Sequence, residues 1–238
     1  MDSALAHRIF TVDAVAFDLD GTLLDTVRDL TAAVNLLLEE QRLPPLHVAV
    51  VRDLIGRGIT DLLSRALTRA RGKPPREGEV AALLPSYQQG YASVLGSQTE
   101  IFPGVLTGLA RMRDAGFRLA VITNKATRFV RPHLVHAGIA DYFDVVIGGD
   151  DAEAKKPDAA PLLLAARRLD VAPARMLMVG DSVNDVGAAR AAGSPVLVVP
   201  YGYSEGVPVQ KLGSDGIVDS LDAVADLIEK SDRLAAGN

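Results

Sequence analysis

The sequence predicts an α/β fold, a Rossmann-like parallel sheet core with helices on both faces, interrupted by an inserted all-helical cap domain. Three observations carry this. Beyond residue 100, short apolar runs alternate regularly with helical patterns, which implies a mostly parallel sheet covered by helices. The roughly 70 residues before that alternation show helical spacing and no strand signal. The run that precedes those helices, residues 14–18, is apolar on both faces, as buried parallel strands are. We therefore expect a catalytic core over residues 1–24 and 101–238 and a helical cap over residues 25–100.

Composition bounds the function. A chain of 238 residues can build such a core with a smaller inserted domain. A net charge of -5 and the lack of a basic run give no electrostatic case for nucleic acid. With no cysteine, disulfides, thiolate metal sites and cysteine nucleophiles are excluded. Residues 1–12 lack the apolar region of a signal peptide, and no stretch approaches the roughly 20 apolar residues of a membrane span. A cytoplasmic protein without a membrane partner is expected, with monomer and homodimer both open.

Taken in order, residues 14–18 read as the first strand. Val27, Leu30, Val34, Leu37 and Leu38 then fall at helical spacing until Pro44-Pro45. Val48, Val51, Leu54 and Ile55 predict a second helix, ending at Gly56-Arg57-Gly58. Ile59, Leu62, Leu63, Ala66 and Leu67 predict a third, stopped by Gly72-Lys73-Pro74-Pro75. Val80, Leu83, Leu84, Tyr87, Tyr91 and Leu95 predict a fourth, bent near Pro85. Tyr87 and Tyr91, four residues apart, read as packing.

The alternation follows. Helix through Val105, Leu106, Leu109 and Met112 stops at Gly116, and residues 119–123 form a strand. A helix runs to Gly138, and a strand over 145–147 ends in Gly148-Gly149-Asp150-Asp151. A helix over 162–169 leads to a strand over 176–179, ending in Gly180-Asp181. A helix over 186–192, a strand over 196–199 and a closing helix through Leu221, Val224, Leu227 and Ile228, capped by Ser220, complete the pattern. Right-handed crossovers would bring all strand C-terminal ends to one edge, where open α/β sheets bind ligands, and the helical insert leaves from that edge.

Four of these strand ends carry polar residues. They are Asp18 and Asp20, then Thr123 and Asn124, then Lys155 and Lys156, then Asp181 with Asp185. Helix capping alone would account for single aspartates or threonines. It does not require a lysine beside a proline, nor a second carboxylate two residues from the first. Several aspartates at one edge repel each other unless a cation joins them. Carboxylate oxygens without histidine or cysteine suit Mg²⁺, which takes one or two carboxylates plus a substrate phosphate. A carboxylate can attack phosphorus, a second can serve as acid and base, and a lysine with a hydroxyl can hold the phosphoryl oxygens. His47, His133 and His136 are expected on exposed helix faces and His7 in the N-terminal tail, none with metal-site spacing.

Asp18-Leu19-Asp20-Gly21-Thr22-Leu23 resembles the first motif of the haloacid dehalogenase superfamily in its phosphatase form. Thr123-Asn124 resembles the second motif, Lys156-Pro157 the third and Gly180-Asp181-Ser182-Val183-Asn184-Asp185 the fourth. The order and the position of the helical insert also agree with that superfamily. The resemblance implies Asp18 as nucleophile and Mg²⁺ ligand. It implies Asp20 as general acid/base that also lends its backbone carbonyl to the metal. Thr123 and Asn124 would bind the phosphoryl group, Lys156 would neutralise Asp18 and the phosphate, and Asp181 would be a metal ligand. Asp185 would assist the metal directly or from behind. Lys155 is expected to be a solvated neighbour.

Superfamily dehalogenases lack the second aspartate, so Asp20 implies phosphoryl transfer. Gly56-Arg57-Gly58-Ile59-Thr60-Asp61-Leu62-Leu63, Ile101-Phe102-Pro103-Gly104-Val105 and Pro200-Tyr201-Gly202-Tyr203-Ser204-Glu205-Gly206 are similar to segments of bacterial phosphoglycolate phosphatases. Ser204, where that family often has asparagine, and the region around Asp158 depart from it. The resemblance implies a small phosphorylated metabolite, 2-phosphoglycolate first, as substrate. Arg57 could reach a substrate carboxylate from the lid or could sit in a solvated turn. A phosphatase for another sugar phosphate or nucleotide, a phosphosugar mutase and a non-catalytic binding member of the superfamily are the alternatives.

Overall fold

The structure, a computed structural model, describes residues 9–230. Its first strands are β1 (Phe10–Val12) and β2 (Ala14–Phe17), and a tight turn leads to β3 (Leu24–Asp25). Four helices follow, α1 (Val27–Glu40), α2 (Val48–Arg52), α3 (Ile59–Arg71) and α4 (Glu79–Val94). The chain returns through β4 (Glu100–Ile101) to α5 (Val105–Asp114), β5 (Arg118–Ile122), α6 (Thr127–His136) and β6 (Val145–Ile147). It continues with α7 (Ala160–Leu169), β7 (Met176–Gly180), α8 (Val183–Ala192) and β8 (Val196–Val198). It closes with β9 (Gly216–Ile217), α9 (Leu221–Asp226) and β10 (Ile228–Lys230).

The main sheet is parallel, in the order β6-β5-β2-β7-β8-β9. Alternate side chains divide between its two faces, as strand geometry requires. Val15, Phe17, Leu119, Val121, Leu177 and Val179 face α5, α6 and α9. Ala14, Ala16, Ala120, Ile122, Met176 and Met178 face α7 and α8. The strands are buried on both sides, and each fully buried large apolar side chain contributes roughly 2 kcal/mol. After β2 the chain builds outward on one side through β5 and β6, then on the other through β7, β8 and β9. The strand order therefore reverses at β2, and the C-terminal end of β2 is the place where such sheets bind ligands.

Helices α1 to α4 share an apolar cluster of their own, centred on Leu37, Leu38, Leu63, Leu67, Tyr87 and Tyr91. Phe129 of α6 and Tyr203, after β8, join it from the core side. The segment leaves and returns through an antiparallel pair, Leu24 opposite Ile101 and Asp25 opposite Glu100. Asp29, buried in the first turn of α1, holds the returning chain by accepting from the backbone of Gly96 and Gln98 and the hydroxyls of Ser97 and Thr99.

Several expectations need correction. The closing helix stops at Asp226, and Ile228 instead opens β10, which pairs in parallel with β1. That pairing joins residues more than 200 positions apart and leaves no local trace in sequence. The two-residue strands β3, β4 and β9 are too short for any periodicity. Helix α2 ends at Arg52, leaving Leu54 and Ile55 in the turn before α3. His47 and His136 are exposed, and His7 lies outside the described residues. His133 is fully buried, because it shares the inward face of α6 with Phe129, Val130 and Leu134. Burial pushes its pKa down to about 4, with Lys125 adding to the effect. Its Nε2 meets the Thr99 hydroxyl at 2.7 Å.

Candidate active site

The turn after β2 is built by one carbonyl. Leu19 accepts from the backbone N–H groups of Thr22, Leu23 and Leu24, which folds the chain back sharply. Gly21 sits at φ +92°, where a Cβ would come within 2.5 Å of an Asp181 carboxylate oxygen. Glycine is thus needed for the backbone conformation and for the close approach. Thr22 then donates its hydroxyl to Asp181 Oδ1 at 2.9 Å, while the Tyr203 backbone N–H donates to Asp181 Oδ2 at 2.7 Å. Asp18 is fixed in the sheet by its N–H on the Val179 carbonyl.

Asp18, Asp181 and Asp185 form a buried cluster in which one carboxylate oxygen of each lies within 4.8 Å of the others. Burial pushes Asp18 up to about 6, and the charges of Asp185 and Asp20 add to it, against the opposing Lys156. Burial pushes Asp181 up to about 8, with Asp185 and Asp18 adding. Carboxylates held this close need positive charge. Lys156 supplies part of it. Its Nζ lies 3.0 Å from Asp18 Oδ1, and it donates to Asp185 Oδ1 and to the Ile122 carbonyl, both at 2.6 Å. Burial works against its charge, but Asp18 and Asp185 hold its pKa above the usual lysine value.

A divalent cation fits the rest of this site. Asp18 Oδ1 is buried and makes no hydrogen bond, since the ammonium beside it is out of line. Hard oxygens with no histidine in the cluster suit an oxygen-seeking divalent ion. Asp185 is the most occupied of the three carboxylates. Its Oδ2 accepts from the N–H groups of Asp181 and Ser182 and from the Ser182 hydroxyl, closing a capping box at the start of α8.

Asp20 faces elsewhere. Thr26 donates its hydroxyl to Asp20 Oδ1 at 2.8 Å, and Lys125 Nζ contacts the two oxygens at 3.0 and 3.2 Å. Burial would raise the Asp20 pKa, but Lys125 and the Thr26 hydrogen bond bring it below the usual carboxylate value. Lys125 also bonds the hydroxyl of Tyr91, which comes from α4. Tyr91 remains a packing residue as expected, edge-on to Phe129 at 4.9 Å, but its hydroxyl is part of the site.

Thr123 directly follows β5, and its hydroxyl oxygen accepts the Lys125 N–H at 3.3 Å, which leaves the hydroxyl proton for a ligand. Asn124 lines the cleft beside Thr123. Its amide clamps the backbone N–H and carbonyl of Lys156 and reaches the Gly56 carbonyl in the helical insert, all at 2.9 Å. Arg57 Nε pairs with Glu205 at 2.7 Å while its side chain is 55% exposed, and it does not line the cleft. The buried Glu205 carboxylate also accepts from Asn184 and lies 3.7 Å from Arg65. Lys155 is exposed, as expected.

Lys125, Tyr203 and Glu205 went unassigned in the sequence. Lys125 had a visible signal, a lone cation directly after Thr123-Asn124 at a strand end. Tyr203 had none. Its hydroxyl accepts from the N–H groups of Thr26 and Val27 and donates to Asp25, tying the start of α1 to the loop that also holds Asp181.

The cleft between sheet edge and insert encloses about 40 Å³, lined by Asp18, Asp20, Thr123 and Lys125 on the core side. Leu30, Ile55, Ile59, Leu62 and Tyr91 line it from the insert. Among the described residues no helix is long and apolar enough to cross a membrane.

Comparison with known proteins points the same way. The chain is 46% identical over 225 residues to a phosphoglycolate phosphatase of Nitrosospira multiformis, covering 94% of this chain and 99% of the relative. It is 41% identical over 220 residues to a phosphoglycolate phosphatase of Thiobacillus denitrificans, covering 92% and 97%. A crystal structure of a predicted phosphoglycolate phosphatase from Haemophilus somnus superposes with a TM-score of 0.85 at 32% identity, covering 90% of this chain and 97% of that one. The family model described as haloacid dehalogenase-like hydrolase matches residues 12–193, which hold every strand-end residue of the cleft. The chain belongs to the haloacid dehalogenase-like hydrolase family.

Proposed function

We propose that the protein is a Mg²⁺-dependent phosphatase that hydrolyses 2-phosphoglycolate to glycolate and phosphate through an aspartyl-phosphate on Asp18. One observation carries the reading. Two carboxylates two residues apart face different partners, Asp18 toward Lys156 and the acidic cluster, Asp20 toward Lys125 and Thr26. That separation suits a nucleophile and an acid/base with distinct tasks. The relatives named phosphoglycolate phosphatase support the substrate.

In this reading an Asp18 carboxylate oxygen attacks phosphorus in line with the ester oxygen. Asp20, which Lys125 and Thr26 hold ionised in the free protein, must take up a proton as substrate binds. It gives that proton to the departing glycolate oxygen, then takes one from the water that attacks the phosphoaspartate. The Thr123 hydroxyl and the Lys156 ammonium hold phosphoryl oxygens as charge shifts onto them. Asp18, Asp181 and the Asp20 backbone carbonyl would hold Mg²⁺, which supplies Lewis-acid neutralisation of the phosphoryl charge. Asp185 and Asn124 act as positioning residues for Lys156. Residues 25–100 serve as a cap that moves about the β3–β4 pair and shields the reaction from water.

The test is release of inorganic phosphate from 2-phosphoglycolate, with and without Mg²⁺. Free phosphate, rather than an isomeric ester, separates hydrolysis from mutase chemistry. A wild-type protein that turns over other small phosphomonoesters but not this one would end the substrate assignment. One inert toward all of them would end the catalytic reading.

A further inference from the structure

We propose that Lys125 recognises the carboxylate of the substrate, with the Tyr91 hydroxyl as a second donor from the helical insert. This rests on the phosphatase reading above and names what separates its substrate from other phosphomonoesters.

The cleft decides the matter by what it offers. With phosphorus at Asp18, the remainder of a small ester points toward the insert, whose wall there is Leu30, Ile55, Ile59 and Leu62. A carboxylate set against such a wall without a partner would be strongly disfavoured. Among the described residues lining the cleft, Lys125 is the one cationic side chain. Lys156 belongs to the phosphoryl end of the site, held between Asp18, Asp185 and the Ile122 carbonyl. Arg57, the candidate from sequence, points outward to Glu205.

Lys125 is also in the right place. It lies two residues after Thr123 at the end of β5, so the strand fixes its distance from the phosphoryl site. Its ammonium is buried and already grips one carboxylate, that of Asp20, while touching the Tyr91 hydroxyl. A compact ammonium can share its donors between two carboxylates, and the phenol, kept protonated by burial, can add a hydrogen bond. Because Tyr91 belongs to α4, a substrate carboxylate at Lys125 would be held from core and insert together.

The experiment compares kcat/KM for 2-phosphoglycolate and for 2-hydroxyethyl phosphate, which has the same chain length but ends in an alcohol. Wild-type protein is expected to prefer the carboxylate by roughly 100-fold, the range of a hydrogen-bonded charge pair. Lys125→Met should bring that ratio to within about fivefold of unity, mainly by weakening the binding of 2-phosphoglycolate, so that its KM rises more than its kcat falls. Lys125→Arg should retain most of the preference, and Tyr91→Phe should reduce it several-fold. Should Lys125→Met fail to fold, Lys125→Gln gives the same comparison. A wild-type preference that survives loss of the charge overturns the role of Lys125 and leaves the phosphatase reading standing. A wild-type protein that hydrolyses both esters equally well overturns carboxylate recognition, and with it the substrate but not the chemistry. Absence of phosphate release from either ester counts against the phosphatase reading itself.

Discussion

Two buried lysines meet the paired aspartates, Lys156 behind Asp18 and Lys125 beside Asp20, and they differ in what they hold. Lys156 is anchored entirely within the core, on Asp18, Asp185 and a backbone carbonyl of β5. Its own backbone is clamped by Asn124. Lys125 has one foot in each region, on Asp20 of the core and on Tyr91 of α4. The first arrangement is set wholly by groups of the core, two carboxylates and a carbonyl. The second depends on where the insert sits. The lesson is that one cation can serve the constant part of a reaction while a neighbour of the same type serves the variable part.

The comparison can be broken most forcefully at the constant end. Asp18→Asn should lower kcat by roughly 10⁴-fold or more, since it removes the proposed nucleophile. The variant should remain folded, because it also removes a like charge from a crowded cluster. Substantial residual turnover, after contamination is excluded, would mean that another group attacks phosphorus.

Lys156→Met should act on stability as well as on rate. It leaves Asp18 and Asp185 buried without their cation, a loss of about 3–5 kcal/mol in metal-free protein. Chemical denaturation in the presence of a chelator would measure it. A change below about 1 kcal/mol would show that this cation is not what holds the cluster together.

The pH dependence tests the same cluster without substitution. Asp18 and Asp181 have raised pKa values in the folded protein, about 6 and about 8. The folded state therefore binds more protons than the unfolded one between about pH 4 and pH 8. The stability from these groups is fully present below about pH 4 and is lost as pH rises through the folded pKa values. In metal-free protein, Tm should fall over that window from this source, and added Mg²⁺ should raise Tm more at pH 8 than at pH 5. An equal Mg²⁺ effect at both pH values would argue against metal binding at these carboxylates.

The smallest effect is expected outside the cleft. Arg57→Ala removes one partner of Glu205, but the Arg57 side chain is more than half exposed and Arg65 remains nearby. A cost of about 0.5 kcal/mol and a change in kcat/KM for 2-phosphoglycolate below about threefold are expected. A loss of a hundredfold would return substrate recognition to Arg57 and away from Lys125.

Much of the core was legible in the chain. The apolar runs read at 14–18, 119–123 and 176–179 fall on β2, β5 and β7 within a residue at either end, because a strand covered on both faces needs no polar alternation. Asp18, Thr123, Lys156 and Asp181 were legible because each directly follows a strand end or precedes a proline. Short strands were not, since β1 and β10 stabilise each other across the whole chain and β3 and β4 hold two residues each. His133 was misread as outward because it is polar, although its spacing from Phe129 and Val130 places it on the buried face of α6.

The sequence by itself determined the alternating fold, the edge where the polar residues gather and the chemistry that paired aspartates and a lysine can perform. These rest on local patterns and on right-handed crossovers, which residue order specifies. Only the tertiary structure decided how those residues divide their work. Asp185 is spent on Lys156 and a helix cap, Asn124 on the backbone of Lys156 and Gly56, and Arg57 on Glu205. Lys125 meets Asp20 and Tyr91. The physical reason is that a side chain's partner depends on where separate segments converge, here a sheet edge and an insert joined by two short strands, and no local pattern encodes that meeting.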